Sequence, residues 1–321
     1  MKKTLICFSI VLLAILLMTG CSGSLQSGNE DPKSSVDRSA LHLTVTRDFG
    51  EQIIFGQRVE YEENASLLDI LQAHAQVETA YGGSFINGIN GLKSSSKSSG
   101  NRQDWFFYVN GIACDVGVLD YDPQNAGSVW WDYHPWQMGP ANSAVIGSSP
   151  EPFLHGYRGT VKPTLIMSSP ADVKASKLMK ETLETLGVSQ IAISNLVEEK
   201  VKNREGPTIV LGEWNDLKKL RYLNDFNKAY NRNGSGIHFI DQGLELLDYN
   251  GDVVKKLNGS TGVIIASGEG LGDDSPMWLI SGTDEDAWQN ALNLLIKYPE
   301  KIEHLYGAAV IGEEIIPLPF H

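Results

Sequence analysis

The sequence predicts an α+β roll over residues 40–138 and an α/β domain with a mostly parallel sheet over residues 161–321. Three observations carry this reading. In the first stretch, short alternating strands surround one amphipathic helix. In the second, compact apolar strands alternate with helices, the pattern of a sheet covered on both faces. Between them, residues 139–160 are rich in Gly, Pro and Ser with few periodic features, and read as a linker. A length of 321 residues also favours two domains over one.

In the roll, "LHLTVTRDFG" alternates and then turns, and "EQIIFGQRVEYEEN" offers the partner strand. "ASLLDILQAHAQV" puts Leu67, Leu68, Leu71 and Ala75 on one helical face, capped by Asn64 or Ser66. "FINGINGLK" is a short strand broken by glycines, followed by the polar loop "SSSKSSGNRQ". "DWFFYVNGIACDVGVLDY" is a strand, an Asn-Gly turn and a second short strand, and "GSVWWDYHPW" is the last strand. Two strands, a helix and two or three further strands suggest a β-grasp type of roll.

In the α/β stretch, "PTLIMSS" is a buried strand and the helix after it opens at Pro170 and ends at Gly187. "QIAISNL" and "PTIVLGEW" are strands, the second feeding one helix, "NDLKKLRYLNDFNKAYNR". "GIHFID" is a strand and "LELLDYNGDVVKKL" a hairpin about Asn250-Gly251. "GVIIASG" and "MWLISG" are short apolar strands, and the last long helix follows Thr283 as cap.

The N-terminus reads as an export signal. Lys2 and Lys3 precede an apolar run from Leu5 to Met18, and small residues precede Cys21 in "MTGCSGS". The pattern resembles a bacterial lipobox, which implies cleavage after residue 20, lipid on Cys21, and a flexible polar tether over residues 21–39. An ordinary secretory leader is the plainer alternative. Cys7 would leave with the leader, so Cys114 would be the one free thiol and no intramolecular disulfide could form. Net charge is −13, and loss of the two leader lysines makes it −15. A surface this acidic excludes nucleic acid as a natural partner and leaves lipid, not electrostatics, to hold the membrane.

Catalytic patterns are missing: no G-x-S-x-G, H-E-x-x-H, P-loop or C-x-x-C occurs. "SGEGLGDDSP" lacks the dinucleotide spacing, and its acids would repel phosphate. Asp273 and Asp274 could hold calcium but read better as a solvated turn. The histidines show no pair at zinc spacing. Glu213, Trp214 and Asp284 follow strands, where open α/β sheets bind ligands, although helix capping explains Asp284 equally well.

The informative stretch is aromatic. In extended chain, Trp105, Phe107 and Val109 face one side and Phe106 and Tyr108 the other; Trp131 and Tyr133 oppose Trp130, Asp132 and His134. Each ring buries ~150–250 Å², so leaving two or three uncovered forfeits several kcal/mol at ~25 cal/mol per Å². One face is core; the other needs a ligand, a partner or the second domain as cover. On a ligand reading, the contacts are Trp105, Phe107, Tyr108, Trp130, Trp131, Tyr133, His134 and Trp136.

The landmarks Ser66 to Leu71, Phe85 to Gly91, Trp105 to Gly111, Gly117 with Asp120 and Tyr121, and Gly127 to Tyr133 resemble the transcobalamin-like C-terminal domain of bacterial surface proteins. More distantly, they are similar to the β-domain of the vitamin B12 carriers. The resemblance implies a β-grasp module that covers a soluble ligand, a corrinoid (cobalamin) in the carriers, with His134 a candidate axial ligand to cobalt. His155 is a weaker rival. The carriers' helical barrel is absent, so a second jaw would have to be the α/β domain.

These features lead us to expect a lipid-anchored, extracytoplasmic binding protein that captures a corrinoid or similar flat ligand for a membrane transporter. No catalysis and no catalytic cofactor are expected. The alternatives are an envelope scaffold whose aromatics bury at a domain interface or bind polysaccharide, and an envelope glycan hydrolase.

Overall fold

The computed structural model describes residues 38–95, 102–136 and 142–320. The expected leader, Cys21 and the tether as far as residue 37 lie outside the described residues. The described part mixes helices with several sheets, as the strand-rich pattern predicts.

The chain begins with β1 (Arg38–Arg47) and β2 (Gln52–Glu62), an antiparallel pair. Their turn places Asp48, Phe49 and Gly50 at positive φ. Helix α1 (Leu67–His74) starts at a capping box: Asp69 N–H donates to Ser66 Oγ at 3.2 Å, and Ser66 N–H donates to Asp69 Oδ2 at 2.9 Å. Of the two expected caps, Ser66 is the one used. Leu67, Leu68, Ile70 and Leu71 are buried. Ala75, expected on that face, is instead the extended C-cap.

Strands β3 (Val77–Ala80), β4 (Phe85–Ile89) and β5 (Leu92–Lys93) form a small sheet of their own. Next come β6 (Gln103–Val109) and β7 (Ile112–Ala113), joined by Asn110 and Gly111, both at positive φ as a two-residue type I′ hairpin requires. Strand β8 (Ser128–Pro135) completes a five-stranded sheet of order β2-β1-β8-β6-β7. In it β8 runs parallel to β1 and antiparallel to β6.

The second half contains β9 (Thr164–Ser168), α2 (Val173–Thr185), β10 (Ile191–Asn195), α3 (Glu198–Lys202) and β11 (Thr208–Glu213). The single helix expected after β11 is two: α4 (Trp214–Leu217) and α5 (Arg221–Lys228), with Leu220 extended between them. Strands β12 (Ile237–Ile240), β13 (Gly243–Leu247) and β14 (Val253–Leu257) make a three-stranded antiparallel sheet. Then follow β15 (Gly262–Ser267), β16 (Met277–Gly282), α6 (Glu285–Lys297), β17 (Gly307–Ile311) and β18 (Glu314–Leu318). The cap of α6 is Asp284, which accepts from Ala287 N–H at 2.9 Å, and not Thr283.

The main sheet has the order β10-β9-β11-β16-β15-β17-β18. Its first four strands are parallel and the remaining pairings antiparallel. It is therefore mixed where a mostly parallel sheet is expected. The link from Ser267 to Met277 is too short for a crossover helix, so β15 and β16 must pair antiparallel. One face packs on α2 and α6 through Met179, Leu183, Trp288 and Leu292. The other packs on α4, α5 and the three-stranded sheet through Trp214, Leu223, Phe239 and Leu244.

Residues 142–160 are not a solvent-spanning linker. Val145, Ile146, Phe153 and Tyr157 are buried. Val145 N–H donates to Gly111 O at 2.9 Å, and Gly147 N–H to Leu305 O at 2.8 Å, so the connection is stitched to both halves. The described residues accordingly pack as one compact unit. No helix among the described residues is long and apolar enough to cross a membrane.

Candidate functional site

The five-stranded sheet sorts its aromatics by strand alternation as expected. On one face Trp105 packs on Tyr133, with centroids 5.2 Å apart, and Phe107 stacks on Trp131 at 4.5 Å. These rings join the α1 core. Tyr133 Oη donates to Lys93 O at 2.7 Å, and Trp105 Nε1 to Leu92 O at 3.1 Å, so their polar tips are satisfied inside.

The opposite face carries Tyr108, Trp130 and His134, and the second half covers it. Tyr306, just before β17, meets Tyr108 and Trp130 edge-on at 5.4 and 5.1 Å. His134 lies between Phe49 and Phe106, with centroids 4.3 and 4.0 Å away. The cover is thus the chain's own second half. The expectation of open ring faces at Trp105, Tyr108, Trp130, Trp131, Tyr133 and His134 is corrected: all are buried. His134, 2% exposed, has no access to an outside cobalt. Phe107 is half-buried. Trp136 alone of the set lies open, 47% exposed, with Arg102 over its ring at 4.5 Å.

Within this interface Asp132 is fully buried. It accepts from Thr46 Oγ1, from Phe49 N–H at 3.0 Å and from Gly50 N–H at 3.1 Å. Trp130 Nε1 donates to Thr46 Oγ1 at 2.7 Å, extending the network. Burial pushes the Asp132 carboxyl up to about 6, against the opposing pull of those hydrogen bonds.

At the margin of this interface a cleft of about 250 Å³ remains open. It is built by His42 and Thr44 of β1, Ser128 and Trp130 of β8, Ser148 to Glu151 of the connection, and Glu303 and His304 ahead of β17. Glu151 is buried and bonds His155 through both the ring Nδ1 and the backbone N–H. That hydrogen bond raises the His155 pKa. Burial lowers that of His304. A Cβ on Gly56 would lie 3.9 Å from His304 Nε2 and 3.8 Å from Thr44 Oγ1. His42 Nδ1 lies 3.5 Å from the same hydroxyl. One imidazole, that of His304, and the Thr44 hydroxyl thus border the position that a side chain at residue 56 would take.

Sequence reading missed His304, since no motif marks it. The signal was spatial: His304 N–H bonds Gly147 O at 3.3 Å, and its ring lies 6.2 Å from Trp130.

In the second half, Trp214 and Asp284 line one separate cavity of about 260 Å³ together with Phe239. Glu213 stands beside it and accepts from Asn215 Nδ2 at 2.9 Å. Asp274 pairs with Lys162 at 2.7 Å, and Asp273 lies 3.7 Å from Arg204, so that acidic turn is neutralised by cations. Among the described residues no group of three or more His, Cys, Asp or Glu could hold a metal ion.

Comparison with known proteins gives a family match over residues 64–135, from just before α1 to the end of β8: Domain of unknown function (DUF4430). No curated protein matches the chain. Among solved structures, a protein of Ruminococcus gnavus ATCC 29149 whose suggested role is metal binding is 20% identical. The match covers 30% of this chain and 98% of that one, with a TM-score of 0.20, and at that score it carries no argument.

Proposed function

We propose that this chain is a lipid-anchored, extracytoplasmic binding protein that holds a small polar ligand in the cleft between its two halves. The carrying observation is that four separated stretches of chain converge there with imidazole, hydroxyl and carboxylate groups. Convergent polar groups in a concavity are the usual mark of a ligand site. The strand order β2-β1-β8-β6-β7, with α1 on one face, supports the β-grasp reading of the first half. The anchor and location rest on the Cys21 pattern, and a transporter would be the natural partner.

A corrinoid is the ligand that the family resemblance puts first. The cleft, at about 250 Å³, falls below the ~300–1,000 Å³ that encloses a drug-sized ligand. A corrinoid would therefore enter only by an edge or an axial group, facing His304 and His42 and not His134. No covalent chemistry is assigned.

A second reading, an envelope scaffold, is favoured by one observation: the aromatic face is closed by the second half, as a rigid joint would be.

The test is retention of cobalamin by the full chain after desalting. Binding at the cleft predicts retention that is lost in Gly56→Leu and His304→Ala and kept in Trp136→Phe. No retention at micromolar protein removes the corrinoid. Retention equal in all variants removes the cleft.

A further inference from the structure

The cavity over the carboxyl ends of β11 and β16 has no place in the reading above. Trp214 follows β11 directly, Thr283 and Asp284 follow β16, and the β12–β13 turn closes the far side with Asp241 and Gln242. The floor is the Trp214 ring stacked on Phe239, with centroids 4.5 Å apart and planes 8° from parallel. Ligands of open α/β sheets sit outside the carboxyl ends of the strands. At about 260 Å³ the space suits a molecule of monosaccharide size.

Its lining decides the chemistry. Two carboxylates, Asp241 and Asp284, and the amides of Asn215 and Gln242 face a cavity whose lining contains no Lys, Arg or His. Lys218, the C-cap of α4, donates to Asn215 Oδ1 at 2.8 Å. Glu213, Asp216 and Glu285 stand at the same sheet edge, close enough to act on the half-buried Asp172. Such an edge repels anions and favours a cation. The Gln242 amide adds hydrogen-bonding groups suited to a polyol, whereas the Thr283 hydroxyl is taken up by Gly259 O and Thr261 N–H and the Asn215 amide by Glu213 and Lys218.

We propose that this cavity binds a monosaccharide-sized polyol bearing a protonated amine, an amino sugar, with Asp241 and Asp284 receiving the ammonium and hydroxyl protons. The site is independent of the cleft between the halves.

The test is calorimetric titration of the full chain, at low salt, with D-glucosamine and D-glucose. Glucosamine should bind at least tenfold more tightly than glucose. Asp241→Asn and Asp284→Asn should each weaken it about two- to fivefold, the range of an exposed charge pair. Both substitutions spare the fold, because residue 241 is exposed and Asn is as good a helix cap as Asp at 284. No binding of glucosamine, equal binding of glucose, or indifference to both substitutions would overturn the proposal. Gly56→Leu should leave this binding unchanged, and a loss there would place the amine in the other cleft instead.

Discussion

Tyr306 stands edge-on to Trp130, their planes 75° apart, and so closes with a residue of the second half the aromatic face that the first half presents. That single contact explains why so many rings gather near residues 105–136. They form two cores back to back on one sheet: one under α1, the other under the second half.

Removing the cover should be costly. Tyr306→Ala leaves a void against Tyr108, Trp130 and Phe49 and should lower stability by about 3–5 kcal/mol, as large-to-small core changes do. Urea unfolding with tryptophan emission as the probe checks this, and the folded variant should show red-shifted Trp130 emission.

Stability should fall as pH rises through the Asp132 titration. The folded carboxyl sits at about 6, above the ~3.9 of an unfolded Asp, so the folded state holds its proton more tightly. The proton-linked stabilisation is complete below pH ~4 and is lost as pH rises through 6. The difference from this group is roughly 3 kcal/mol, taken at ~1.4 kcal/mol per unit. Denaturant midpoints between pH 4.5 and 7.5 measure it, and Asp132→Asn should flatten the profile.

Glycines at the cleft separate two kinds of effect. A Cβ on Gly147 would lie 2.6 Å from the backbone nitrogens of His304 and Leu305, so Gly147→Ala should loosen the joint and cost several kcal/mol. Gly56→Ala meets only ordinary contacts at 3.8 Å and beyond and should change stability by less than ~1 kcal/mol. Thermal denaturation of the two variants checks the contrast.

The α1 cap is a local device. Ser66→Ala removes the hydroxyl that accepts from Asp69 N–H and should cost about 1 kcal/mol, measured by chemical denaturation.

Much of this was legible from local pattern. The alternation of Trp130 and Trp131 placed them on opposite faces, Asn110-Gly111 announced its hairpin, and Asn64 and Ser66 announced a helix start without deciding which of them caps it. That neither face lies open was not legible, because both faces of β8 are aromatic and the cover of one, Tyr306, comes from far along the chain. Strand direction failed at β15 for a similar reason. "GVIIASG" is buried on both faces and reads alike in either direction, so only the short link to Met277 betrays the antiparallel pairing. His304 escaped because its role depends on the Gly147 backbone packing against it, a tertiary contact with no sequence signature.

The central claim is that the chain's own second half covers the aromatic face. Acrylamide quenching of tryptophan emission in the full chain and in Trp136→Phe tests it most directly. With the other described tryptophans buried, the substitution should remove most of the quenchable emission and leave a blue-shifted remainder. A Trp136→Phe protein that remains as quenchable as the parent would show open indoles elsewhere and contradict the account.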